Sequence, residues 1–150
     1  VLSHLDDPGK WDFKILATDI STRVLDVGFK GVYPKERVEK VPQALQKLYF
    51  QRQRTQSGDF FQITPLLKRI VTFRRLNLKD NYPFSGPFDF IFCRNVMIYF
   101  DKETQQHLVQ KMAGYLAEGG YLMVGHSESL TGLDHRLTYV QPSVYKKSRV

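Results

Sequence analysis

Thirteen residues, Phe88 to Phe100 (FDFIFCRNVMIYF), constrain this 150-residue chain more than any other stretch. An apolar run, interrupted only by Asp89, gives way abruptly to Cys93-Arg94-Asn95 and then resumes. A buried parallel strand that ends in a polar turn has this pattern. In open α/β sheets ligands bind beyond the carboxyl ends of the strands, so Arg94 and Asn95 fall where chemistry is expected. A guanidinium and an amide between two greasy runs would otherwise be costly to bury.

The flanking sequence alternates in the same way. Phe13 to Ile20 (FKILATDI) reads as a second buried strand ending at Asp19. Ser21 or Thr22 can cap a helix whose stripe is Val24, Leu25, Val27 and Phe29, ended by the Gly28 to Pro34 region. Val71 to Leu78 is a further strand. Asp101 is an N-cap for a helix from Lys102 to about Ala117, and Gly119-Gly120 supplies its stop. Tyr121 to Val124 is another strand, running into Gly125-His126-Ser127, where Ser127 reads as a helix cap. Leu137 to Val140 and Val144 to Lys147 flank Gln141-Pro142-Ser143 as a closing hairpin. The alternation predicts an α/β fold with a mostly parallel sheet and an antiparallel C-terminal edge.

Lys35 to Leu76 breaks this rhythm. Gln43 to Arg52 reads as a helix, while Phe60 to Ile63 and Ile70 to Phe73 read as short strands between Ser57-Gly58-Asp59 and Thr64-Pro65 turns. A small antiparallel β-subdomain inserted at about residues 35–76 is expected. It carries most of the charge: Lys30 to Lys79 holds twelve basic and three acidic residues, a net of +9 against +7 for the whole chain. Such a field favours an acidic partner, although a solubilising face has the same composition.

Several classes of function are disfavoured. No apolar stretch approaches the roughly 20 residues that span a bilayer, so membrane insertion is not expected, and the start lacks a signal-peptide pattern. Cys93 is the sole cysteine, which excludes an internal disulfide and suits a reducing, cytoplasmic setting. His4, His107, His126 and His135 have no ligand-like spacing, so no metal is expected. His126-Ser127-Glu128 are adjacent and cannot form a triad. Asp19 ends a strand before a helix, where an acid accepts ribose hydroxyls or else caps the helix. Asn77-Leu78 lies at a strand end, where an amide reads an adenine edge or simply makes a turn. Cys93 as a nucleophile is the weaker alternative to a core thiol.

Taken in order, Ala17-Thr18-Asp19-Ile20-Ser21, Gly31-Val32-Tyr33-Pro34, Asn77-Leu78, Phe88-Asp89, Cys93 to Phe100 and Gly125-His126-Ser127-Glu128-Ser129 resemble the CheR-type chemotaxis-receptor glutamate O-methyltransferases. The likeness runs essentially from end to end, and the basic insertion falls where that family places its β-subdomain. It implies a Rossmann-like methyltransferase fold, S-adenosylmethionine as cofactor and S-adenosylhomocysteine as product. By this likeness Asp19 binds the ribose, and Asn77 and Leu78 contact the adenine side. Arg94 and Tyr99 lie beside the transferable methyl group and the incoming carboxylate, making them the catalytic candidates, with Asn95 supporting the turn. The implied partner is the cytoplasmic domain of a methyl-accepting chemotaxis receptor or its C-terminal tail, with Tyr49 to Phe61 as candidates for contact.

The family's glycine-containing cofactor loop and its acid lie upstream of ATDIS, after the first strand of the fold. Here only VLSHLDD precedes the equivalent of the second strand, and it resembles the tail of the helix after that loop. An N-terminally truncated catalytic domain spanning 1–150 is therefore expected, inactive alone and weak for cofactor. The chemistry needs no general base, because a glutamate with pKa near about 4.3 arrives ionised. A non-catalytic receptor-docking module stays open as an alternative. A nucleic-acid methyltransferase is the less favoured one, since the +9 segment lacks a groove-reading motif and no nucleic-acid partner is expected.

Overall fold

The computed structural model describes residues 11–55 and 58–148. His4, Ser57 and the VLSHLDD segment lie outside the described residues. The chain divides into two units, one through Asn77 and the other from Leu78.

In the first unit, β1 (Ile15–Asp19) pairs in parallel with β5 (Val71–Arg75), in register from Ile15 with Val71 to Asp19 with Arg75. Between them α1 (Thr22–Lys30) is capped by Ser21, whose Oγ accepts the Val24 N–H. It ends at Gly31, where a φ of 62° favours glycine. Gly28 lies against Phe73 of β5 so closely that a Cβ would come within 2.5 Å of the ring. That contact sets which face of α1 turns inward: Leu25 is half-buried, whereas Val24, Val27 and Phe29 of the expected stripe are exposed.

The insertion is a three-stranded antiparallel sheet in the order β2-β4-β3, formed by β2 (Val32–Pro34), β3 (Phe50–Thr55) and β4 (Gly58–Ile63). Short helices α2 (Lys35–Val38), α3 (Gln43–Tyr49) and α4 (Pro65–Ile70) connect it. The structure differs from the sequence reading at three points here. The antiparallel sheet begins at Val32, inside the stretch read only as a helix stop. The helix read to Arg52 ends at Tyr49, because Phe50 to Thr55 gain a ladder of pairs with β4. Val71 to Phe73 belongs to the parallel pair rather than to the insertion.

The second unit is a four-stranded sheet in the order β6-β7-β9-β8, with β6 (Phe88–Cys93) parallel to β7 (Leu116–Val124). The hairpin of β8 (Leu137–Gln141) and β9 (Val144–Lys147) continues it antiparallel. Helix α5 (Lys102–Tyr115) starts at Asp101, whose carboxylate accepts the Thr104 N–H at 2.8 Å. It buries Leu108, Val109 and Met112 against Cys93, Leu122, Val124 and Tyr145. Rather than stopping at Gly119-Gly120, α5 passes directly into β7 at Leu116, and the glycines form a bulge opposite β6. Gly120 is needed there because a Cβ would come within 3.1 Å of the Phe88 and Asp89 carbonyl oxygens. Strand β6 is buried on one face only: Cys93 is enclosed, while Phe90 and Phe92 are 53% and 68% exposed.

Candidate active site

In the first unit the parallel register puts the carboxyl ends of β1 and β5 side by side, with the Leu76 N–H donating to the Asp19 carbonyl at 3.0 Å. Asn77 follows two residues after β5 and Asp19 is the last residue of β1. Asp19 is half-buried, and its Oδ1 accepts the Ser21 N–H at 2.8 Å. It shapes the turn into α1 while Ser21, not Asp19, serves as the helix cap. Asp19 stands at the carboxyl end of β1, the place where an acid can accept ribose hydroxyls.

In the second unit Leu78 packs against the core, and its carbonyl accepts from Tyr82 Oη and Lys111 Nζ. Arg94, Asn95 and Tyr99 share a single turn. Beyond Cys93, Asn95 takes a φ of 58°, a left-handed conformation asparagine tolerates. The chain then tightens into a 3-10 turn over Met97–Tyr99, which buries Met97 in the core. Arg94 and Tyr99 are left outside, Tyr99 at 79% exposure, and neither side chain has a hydrogen-bond or ion-pair partner among the described residues.

What holds this turn is Glu128, a residue the sequence reading passed over as part of an impossible triad. Its carboxylate, only 7% exposed, accepts four backbone N–H groups. Oε2 takes those of Asn95 at 2.8 Å and Gly125 at 2.6 Å. Oε1 takes those of Val96 at 2.8 Å and Met97 at 2.7 Å. Consecutive amides converging in this way form an anion nest, and here the anion is internal. Burial is the largest single influence on Glu128 and raises its pKa. The four N–H bonds together outweigh it and hold the carboxyl below the ordinary glutamate range.

On the other side of the turn Gln105 of α5 donates to the Met97 and Phe100 carbonyls at 3.0 and 2.9 Å. Gly125 completes the fit: a Cβ there would meet Asn95 Oδ1 at 2.5 Å and Glu128 Oε2 at 2.6 Å. Ser127 caps no helix; it sits in a turn closed by the Glu128 N–H on the Gly125 carbonyl. The signal for Glu128 was an acid beside small residues and Leu130, but three of its four partners lie 31 to 33 residues away.

The arrangement has consequences for chemistry. Burial, then the negative charge of Glu128, push the Cys93 thiol up to about 11, so it remains a protonated core residue and not a nucleophile. Glu128 is committed to four donors and is not free to act as a base. Among the described residues no group of three or more His, Cys, Asp or Glu side chains could hold a metal ion. An exposed guanidinium and an exposed phenol on a fixed turn suit a reaction in which an anionic nucleophile arrives already ionised.

The family described as CheR methyltransferase, SAM binding domain, matches residues 1–146. The chain belongs to this family. S-adenosylmethionine is the cofactor that the family's binding domain takes. Among its relatives, the chemotaxis protein methyltransferase of Borreliella burgdorferi is 46% identical over 136 residues, covering 90% of this chain and 47% of that protein. A probable chemotaxis protein methyltransferase of Rhizobium etli is 45% identical over 132 residues, covering 88% of this chain and 49% of that protein. The chemotaxis protein methyltransferase of Escherichia coli is 40% identical over 144 residues, covering 95% and 49% respectively. The chain thus spans about half the length of the curated relatives it matches. Among the described residues, no helix is long and apolar enough to cross a membrane.

Proposed function

We propose that this chain is the C-terminal part of the catalytic domain of a methyltransferase acting on glutamate side-chain carboxylates of chemotaxis receptors. Family membership supports the reaction class, and one geometric observation supports the site. Arg94 and Tyr99 project, exposed and unpartnered among the described residues, from a backbone turn tied down on both sides.

The side chains present fit the cofactor's chemistry. Asp19 offers an acceptor suited to ribose hydroxyls, Asn77 an amide suited to an adenine edge, and Tyr99 an aromatic ring suited to a neighbouring positive charge. Asn95 follows the end of β6 and supports the turn, and Leu78 offers an apolar contact for the adenine side. When bound, S-adenosylmethionine supplies a methyl group activated by a sulfonium. Arg94 orients the receptor carboxylate by a charge-assisted hydrogen bond. Its exposure keeps that bond from holding the nucleophile so tightly that the ground state is favoured. Catalysis then rests on positioning rather than proton transfer. The basic β-subdomain, at about residues 35–76, docks the receptor or its C-terminal tail through its positive charge, with Tyr49 to Phe61 as the candidate contacts.

Arg94→Ala in the intact protein tests the reading. Transfer of labelled methyl groups to receptor is expected to slow by about tenfold or more, from lost orientation of the carboxylate. Wild-type transfer by that variant would remove Arg94 from the mechanism.

A further inference from the structure

The Arg94–Phe100 turn has an external anchor on each side of its backbone. Gln105 receives nothing from it and donates to two carbonyls, whereas Glu128 accepts the three consecutive amides of Asn95, Val96 and Met97. The fourth bond to Glu128 comes from Gly125, at the end of β7. One carboxylate therefore joins the carboxyl ends of two adjacent parallel strands. It is an enclosed charge without an ion pair among the described residues, an arrangement that persists only when its hydrogen bonds are complete. Asn95 is exposed, so water could satisfy its N–H. What water would not supply is a fixed direction for three amides at once.

We propose that Glu128 is a positioning residue for methyl transfer, setting through the backbone of Asn95 to Met97 where the Arg94 and Tyr99 side chains stand. The inference rests on the functional reading above and adds a residue to it. Arg94 immediately precedes the first stapled amide, and Tyr99 donates its N–H back to Val96, the second. Freeing the amides lets the turn relax, and a displacement of about 1 Å at a reacting group can lower turnover by about a hundredfold.

Glu128→Gln is the informative change, because it keeps the volume but replaces one acceptor oxygen by an NH2 facing N–H donors. The intact protein is assayed well below the variant's unfolding temperature, with folded content checked by circular dichroism. Turnover is expected to fall by about tenfold or more, beyond any change in folded fraction. Adding Glu128→Gln to the paired Arg94→Ala and Tyr99→Ala change is expected to give a rate within about twofold of that pair alone, since its loss passes through those two side chains. Amide hydrogen exchange at Asn95, Val96 and Met97 is expected to accelerate by about tenfold or more, while exchange at Leu122 in β7 stays at the wild-type rate.

Should Glu128→Gln not fold, Glu128→Asp, which keeps the charge and retracts it by one methylene, is measured in the same way. The expected loss of turnover is then about threefold or more, with faster exchange at the same three amides. Full turnover in the folded variant, or a further loss when Glu128→Gln is added to the Arg94→Ala and Tyr99→Ala pair, overturns the positioning role. Unchanged exchange at the three amides overturns the staple itself. Absence of methyl transfer by the wild type would instead sink the functional reading, and the exchange measurement would still decide the staple.

Discussion

Asp19 and Glu128 show how differently two carboxylates of one chain are employed. Asp19, at the end of β1, gives one oxygen to the Ser21 N–H. Asp19→Ala in the intact protein is expected to weaken S-adenosylmethionine binding by about tenfold while leaving the fold intact, as calorimetry against the wild type would show. Glu128 is wholly committed, and its carboxyl is held below the usual range in the folded state. A depressed folded value contributes stability above the unfolded value, which is lost as pH falls through the folded one. Denaturant titrations from about pH 6 down to about pH 3 should therefore show a steeper loss in wild type than in Glu128→Gln. Asp59 and Asp101 are also depressed, by Arg52 and by the Thr104 N–H respectively, and their contribution remains in both proteins. An equal slope in the two proteins would mean that Glu128 does not couple to folding. Asp19 and Arg94 draw notice in the sequence because each interrupts a hydrophobic run, whereas Tyr99 enters only through the family resemblance. Glu128 was not legible, because its meaning lies in amides more than thirty residues away and no local pattern announces a long-range acceptor.

At the scale of elements, strands β1, β6 and β7 and helix α5 follow from hydrophobic periodicity, and Asp101 marks the start of α5 as expected. Asp101→Ala removes the acceptor for the Thr104 N–H and is expected to lower the denaturation midpoint measurably. No measurable change would show that the cap contributes nothing here. The misread boundaries share one cause. Phe50 to Thr55 continue a helical composition, yet become a strand because β4 supplies pairing partners, and Gly119-Gly120 become a bulge because β6 approaches their backbone closely. In both places a neighbour in space overrode a local signal. The exposed stripe on α1 has a similar origin: its inward face is chosen by the Gly28 contact with Phe73 rather than by its largest apolar residues.

At the scale of the whole molecule, the positive charge is concentrated in the first unit and the stapled turn lies in the second. Because the chain spans about half of its relatives' length, the proposed reaction belongs to the intact protein. The isolated 150-residue chain would lack about half of that length. The isolated 150-residue chain is therefore expected to bind S-adenosylmethionine far more weakly than the intact protein and to transfer no methyl groups. Micromolar affinity in calorimetry would contradict this. The α/β class and the presence of an inserted sheet were both readable from alternation and its interruption. The insertion's first strand was not, since three residues (Val32 to Pro34) are too few to show a period.

With its amides already occupied by Glu128 and two of its carbonyls by Gln105, the backbone of the Arg94–Phe100 turn is a closed circuit that owes nothing to the side chains it displays. Positions 94, 98 and 99 can then vary like interchangeable tips on a fixed handle. A library randomised there should retain foldability across most of its members, so new substrate preferences could be explored without first rebuilding the scaffold.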